Sequence, residues 1–295
     1  MKTLKFLIPI IIFVACSSGE TNNKKMQNIM VSILPQKYFV EKIVGDSFNV
    51  DVMIPPGASP VTYDPTPRQM RALSNSFVYF RIGHSEFEKS WIKKLKGVNA
   101  SMDIIDLSKN ATLIEPEHNH DHSHTHNGHH HHHGVDPHIW LSPKEVKKQA
   151  KIIYDYLVKT KPEYKNQFEI NYNQFSNEIK QLDAYMTSQL KDYKGRKFLI
   201  FHPALTYIAR DYGLQQISIE IDGKEPTPAN IQKIISTAKN EKIKIVFAQK
   251  QFSISNAEII AREIGGKVKR VDPLAYNWDQ GVRFITDEIV KSYSK

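Results

Sequence analysis

The sequence predicts an α/β fold of two similar lobes, and three observations carry that reading. Short β-rich runs alternate with helical text along the 295 residues, the connections between them are short, and one long apolar stripe separates two such series. Strand and helix in alternation argue for parallel sheets covered by helices on both faces.

The first series opens at residues 28–34, a β-rich run closed by Pro35, and helical spacing then continues to Val44 before Gly45-Asp46. Residues 48–54 read as a second strand, stopped by the rigid turn Pro55-Pro56-Gly57-Ala58-Ser59-Pro60. Helical text over 67–74 leads to a third strand at 77–80, which ends at Gly83-His84. A helix over 86–95 and a strand over 102–105 complete the series. In the second series, strands are expected at 197–201, 214–219, 243–248 and 267–271. His202-Pro203 opens a helix, Pro226-Thr227-Pro228 opens another that runs to about Asn240, and further helices cover 256–264 and 279–293. Between the series, Phe168, Tyr172, Phe175, Ile179, Leu182, Met186 and Leu190 recur at gaps of four and three, the stripe of one helix. Roughly 25 to 30 residues at 1.5 Å each give about 40 Å, the width of a lobe pair. A lone heptad-like stretch without sustained flanking charge pairs packs on its own protein more readily than in a coiled coil. The expected plan is two Rossmann-like lobes with parallel sheets joined by a long backbone helix, with a cleft between them. Its boundaries are an N-terminal lobe over 27–160, which includes a His-rich loop at 117–134, a linking helix over 161–194 and a C-terminal lobe over 195–295.

Residues 1–15, MKTLKFLIPIIIFVA, carry two lysines, an apolar core and small residues before Cys16, and read as an export signal too short to span a membrane stably. Cys16, the only cysteine, stands where a lipoprotein signal peptidase would leave a lipid-bearing N-terminus, although Phe13 replaces the usual leucine of a lipobox. Residues 16–26 then form a polar tether. One cysteine excludes a disulfide or a thiolate cluster within one chain. The formal charge of +9 comes from lysines scattered along helical faces, which reads as a solvated basic surface with no nucleic-acid partner.

The histidines point to metal. Of thirteen, ten lie in one run, His118, His120, His122, His124, His126, His129, His130, His131, His132 and His133, leaving His84, His138 and His202 for the rest of the chain. Neutral imidazoles on such a loop can capture metal weakly before a fixed site holds it. Asp, Ser, Thr and Asn mixed into an internal run distinguish it from a purification tag. Ligands bind at the carboxyl ends of strands in open α/β sheets, and His84, His202 and Asp272 each follow an expected strand. His138 lies in the crossover segment, stiffened by Pro137 and shielded by Trp140. Imidazoles with one carboxylate suit a tetrahedral zinc site and tolerate manganese or iron. Taken singly, His202 before a proline also reads as a helix cap and Asp272-Pro273 as a turn. Asp136 fits best as the partner that orients His138.

Several ordered motifs, Pro55 to Pro67 (PPGASPVTYDPTP), Asp136-Pro137-His138-Ile139-Trp140-Leu141-Ser142-Pro143, Phe201-His202-Pro203-Ala204, Lys224-Glu225-Pro226-Thr227-Pro228 and Val271-Asp272-Pro273-Leu274, resemble those of the zinc and manganese solute-binding proteins of ABC importers (cluster A-I), in the zinc-preferring branch with a His-rich loop. The resemblance covers nearly the whole chain after the leader. It implies two α/β lobes on a backbone helix, with metal ligands at His138, His202 and, by position, Asp272. The family's first histidine would fall on Val61, which has no lone pair. His84 is the expected replacement, with Glu86 and Glu88 as fallback oxygen donors. The implied role is a monomeric lipoprotein outside the cytoplasm, at the periplasm or cell surface and membrane-anchored through Cys16. It would bind Zn²⁺, or Mn²⁺ or Fe²⁺ in the same role, and pass it to an ABC permease with its ATPase. A zinc storage or chaperone lipoprotein is the alternative. No His-Glu-x-x-His motif occurs, so no enzyme activity is expected.

Overall fold

The computed structural model describes residues 26–115, 134–220, 224–252 and 254–293. Cys16 and the ten loop histidines lie outside the described residues. Each half of the chain forms a four-stranded parallel sheet. In the first lobe β1 (Gln27–Val31), β2 (Phe48–Val52), β3 (Ser76–Arg81) and β4 (Asp103–Asp106) lie in the order β2-β1-β3-β4. In the second, β5 (Lys197–Ile200), β6 (Gln215–Ser218), β7 (Ile245–Gln249) and β8 (Lys267–Val271) repeat that order as β6-β5-β7-β8. All eight strands fall where alternation put them. In both sheets the chain reverses its direction of winding beside the first strand, the position where open sheets leave a crevice.

The central strands are apolar because both of their faces are covered. Ile29, Met30 and Val31 are fully buried, as are Val246, Phe247 and Ala248. On β5 the period of two is visible in the packing: Phe198 and Ile200 enter one apolar cluster, Leu199 and Phe201 the other.

Helices α1 (Leu34–Val44), α2 (Pro67–Ser74) and α3 (Glu86–Val98) serve the first sheet, and α6 (Thr206–Tyr212), α7 (Pro228–Asn240) and α8 (Ser255–Glu263) the second. α2 and α7 start alike, on Pro-Thr-Pro. The Thr66 and Thr227 hydroxyls accept from the backbone N–H of Gln69 and Asn230, and the following proline fills a position where no N–H is needed.

Two further helices join the lobes. α5 (Lys165–Leu190) has 26 residues, about 39 Å of helix, flanked by single 3₁₀ turns at Pro162–Tyr164 and Lys191–Tyr193. It is preceded by α4 (Pro143–Thr160), a helix absent from the sequence expectation. The short turn between them makes a helical hairpin, closed by the stacked rings of Tyr154 and Tyr172 at 4.6 Å. α5 also meets α1, where Lys42 pairs with Glu178 at 2.7 Å, and α6, where Tyr212 donates to Asp183 at 2.7 Å. The last helix, α9 (Trp278–Tyr293), returns from the second lobe to pack on α5 and α1. Trp278 stands edge-on to Phe39 at 5.1 Å and to Phe175 at 6.4 Å. The largest apolar cluster therefore runs unbroken through both lobes.

Candidate metal centre

A cavity of about 930 Å³ opens between the lobes. Val61, His84 and Glu86 line it from the first lobe, His138 and Trp140 from the crossover segment, and His202, Glu220 and Phe252 from the second.

His202 follows β5, beside the point where the second sheet reverses its winding. Its backbone is held by Gln249, whose Oε1 accepts the His202 N–H at 3.2 Å and whose Nε2 donates to the His202 carbonyl at 2.5 Å. Phe252 stacks on the ring at 4.7 Å and 18°. Nδ1 lies 2.9 Å from Glu220 Oε1. A carboxylate can only accept, so a neutral ring bonded to it carries its hydrogen on Nδ1 and keeps the Nε2 lone pair.

His138 has the same arrangement with different parts. One Asp136 oxygen accepts both its backbone N–H at 2.9 Å and its ring Nδ1–H at 2.8 Å. Burial opposes ionisation of Asp136, yet the His138 ring, its backbone N–H and the Thr206 hydroxyl hold the carboxyl below its ordinary value. Trp140 flanks the His138 ring at 5.1 Å. The segment takes its support from the second lobe: the Trp140 indole donates to the Pro273 carbonyl at 2.9 Å, the Trp278 indole to the Trp140 carbonyl at 2.6 Å, and the Tyr207 hydroxyl to the Asp136 carbonyl at 2.8 Å. The outcome is that the His138 and His202 rings face each other at 5.2 Å, inclined by 69°.

The other expected donors stand apart from this pair. His84 lines the same cavity from the first lobe, after β3. Gly83 hands the chain to it at φ +117°, and a Cβ there would press on Ser108 and lie 2.6 Å from Asp106 Oδ1, so only glycine makes this turn. Asp272 follows β8 but lines an adjoining cavity of about 290 Å³ beside the Pro55–Gly57 turn, which shares Gln251 and Leu274 with the first. Its Oδ1 accepts from the Leu274 N–H at 3.1 Å and the Gln251 amide at 3.2 Å, and Lys250 Nζ lies 3.4 Å from Oδ2. Among the described residues, no three His, Cys, Asp or Glu side chains are close enough to hold one ion. The structure thus brings together two of the four expected donors.

Glu88, a fallback donor, is corrected by the structure. It is fully buried away from the cavity, accepting the Ile82 and Gly83 N–H groups at 2.7 Å each and the Ser32 hydroxyl. Burial pushes its carboxyl above the usual range against those hydrogen bonds. Its work is to brace the β3–α3 turn that presents His84. Glu86 does line the cavity, paired with Lys89 at 2.6 Å. Sequence reasoning missed Glu220 and Phe252. Glu220 lies just past a strand end, so the rule that selected His202 could have found it.

The family model described as zinc-uptake complex component A, periplasmic (ZnuA), matches residues 29–289. A relative named high-affinity zinc uptake system protein ZnuA, from Bacillus subtilis, is 30% identical over 264 residues, covering 87% of this chain and 81% of that one. The zinc-binding lipoprotein AdcA of Streptococcus pneumoniae is 29% identical over 290 residues, and the chain spans about half of that longer protein, 56%. A crystal structure of ZnuA superposes with a TM-score of 0.83 at 39% identity, covering 91% of this chain and all of that one. A ZnuA deletion mutant with zinc bound gives 0.82 at 39% identity, covering 92% of this chain and 99% of that one. The periplasmic zinc-binding protein TroA of Treponema pallidum, at 19% identity, shares the fold with a TM-score of 0.79, covering 92% of this chain and all of that one.

Proposed function

This chain belongs to the ZnuA family of zinc-uptake binding components, and on that premise we propose that it captures Zn²⁺ outside the cytoplasm between its lobes, through His138 and His202, and delivers it to an ABC permease. The family is one of transporter binding proteins, and the chain is not an enzyme. Zinc is the ion in the names of its relatives and the ion bound in the ZnuA deletion mutant that shares its fold.

One observation supports the pair as the core of the site. A tetrahedral ion about 2.05 Å from two imidazole nitrogens sits about 3.2 Å from each ring centroid, which puts the centroids about 5.2 Å apart. The His138 and His202 centroids are 5.2 Å apart, and both rings direct Nδ1 to a carboxylate and leave Nε2 free to coordinate. His84, from the first lobe, and Asp272, once Lys250 gives way, are the further donors in this reading. Cys16 would carry the membrane anchor and the loop histidines a first, weak capture. The loop resembles that of zinc-preferring relatives, which favours Zn²⁺ over Mn²⁺.

The test is a zinc titration against a competing chromophoric chelator, with residues 117–134 deleted to silence the loop. His138→Ala and His202→Ala should each weaken zinc by more than the roughly 10–100-fold that losing an outer hydrogen-bond partner costs. Tight binding by the double variant would sink the site. Delivery is read separately: a strain lacking the gene should fail to grow under zinc limitation and recover with the wild-type copy. Zinc uptake unchanged in that strain would point to storage instead.

A further inference from the structure

Resting on the reading above, we infer that Glu220 is a positioning residue for the ion. It holds His202 as the Nδ1–H tautomer, which leaves Nε2 to the ion. Glu220 is nearly buried, at 8% exposure, and its backbone N–H is fixed to the Phe201 carbonyl at 2.9 Å. Its Oε1 is 2.9 Å from His202 Nδ1, while Phe252 and Gln249 fix the ring face and the backbone, so the carboxylate decides which nitrogen carries the hydrogen.

Asp136 does the same for His138, from the crossover segment instead of the second sheet. Two imidazoles coordinate as neutral groups and bring no charge of their own. The two carboxylates behind them accept the Nδ1 hydrogens and so fix which nitrogen each ring presents. At the position where the family's pattern places a further histidine this chain has Val61, so two rings carry more of the binding and their orientation matters more.

Full-length protein is used, with Glu220→Ala, Glu220→Gln and, as a control, His202→Ala. Long-range ¹H–¹⁵N correlation of the zinc-free imidazoles, assigned for His202 from the signal lost in the control, reports the tautomer without any metal. Chelator competition reports the tightest zinc site. Glu220→Ala should populate the Nε2–H form and weaken zinc by about 10–100-fold. Glu220→Gln, whose amide oxygen still accepts from Nδ1, should keep the tautomer and lose less. Either variant at wild-type zinc affinity overturns the inference, and so does a weakened Glu220→Ala that retains the wild-type tautomer. The control separates the two levels: if His202→Ala keeps the tight site, the reading of the site fails, whereas its loss beside an unaffected Glu220→Ala removes only the role of Glu220.

Discussion

Asp136 shows how a local spacing becomes a fixed ring. Two residues before His138, its carboxylate can take the backbone N–H and the ring hydrogen together, and that proximity makes it legible as a partner from the sequence. Glu220 is 18 residues from His202 and meets it only because β6 pairs with β5. Its place past a strand end is legible, but its pairing with His202 is not. Glu88 misleads for a related reason: an acidic residue in the first turn of a helix looks exposed until Ser32 and Tyr79 close over it. Asp136 also sets a pH dependence in the zinc-free protein. Its folded carboxyl lies below the unfolded value of about 3.9, so its stabilisation is complete above that value and is lost as pH falls through the lower folded one. In urea unfolding, Asp136→Asn should therefore be less stable than wild type at pH 7, with the gap closing in acid. A gap that persists at pH 2 would contradict this account.

At the level of the element, the strands are readable and one helix is not. Four-residue runs such as Phe198-Leu199-Ile200-Phe201 are apolar on both faces and bounded by turns, which leaves little ambiguity. The text of α4 carries its own signals: Ser142 before Pro143, Glu145 three residues on, and Val146, Ala150, Ile153 and Leu157 at gaps of four, three and four. The metal motif ending at Pro143 overlaps the first of them and hides the rest. In the structure Ser142 accepts from the Glu145 N–H at 3.2 Å, and α4 packs as the partner of α5. α5 matters most through Phe175, which is 1% exposed and touches Tyr38 at 6.0 Å, Phe39 at 5.8 Å and Trp278 at 6.4 Å, rings from both ends of the chain. Phe175→Ala should cost about 3–5 kcal/mol, read as a lower urea midpoint at an unchanged slope. A loss below about 1 kcal/mol would mean that the helix is not the joint between the lobes.

For the whole molecule, two lobes follow from the alternation of elements, whereas the single cluster uniting them does not. That cluster joins α1, α5 and α6 and is completed by α9 returning across the chain, long-range meetings outside any sequence window. The return also places Trp278 under the Trp140 carbonyl. Trp278→Phe keeps the ring and removes the indole donor, stranding a buried acceptor at a cost of about 1–3 kcal/mol. Amide exchange at Leu141 and Ser142, which close the turn after His138, should accelerate, and zinc affinity should fall; unchanged exchange would show that the turn does not need this support.

The indole bonds of Trp140 and Trp278 settle how the jaws of this molecule are divided. Both imidazoles are braced from the same jaw. In the proposed role the other jaw then offers an ion the wall bearing Val61 and His84. With an aliphatic side chain at the first of these places, that wall has little to grip with.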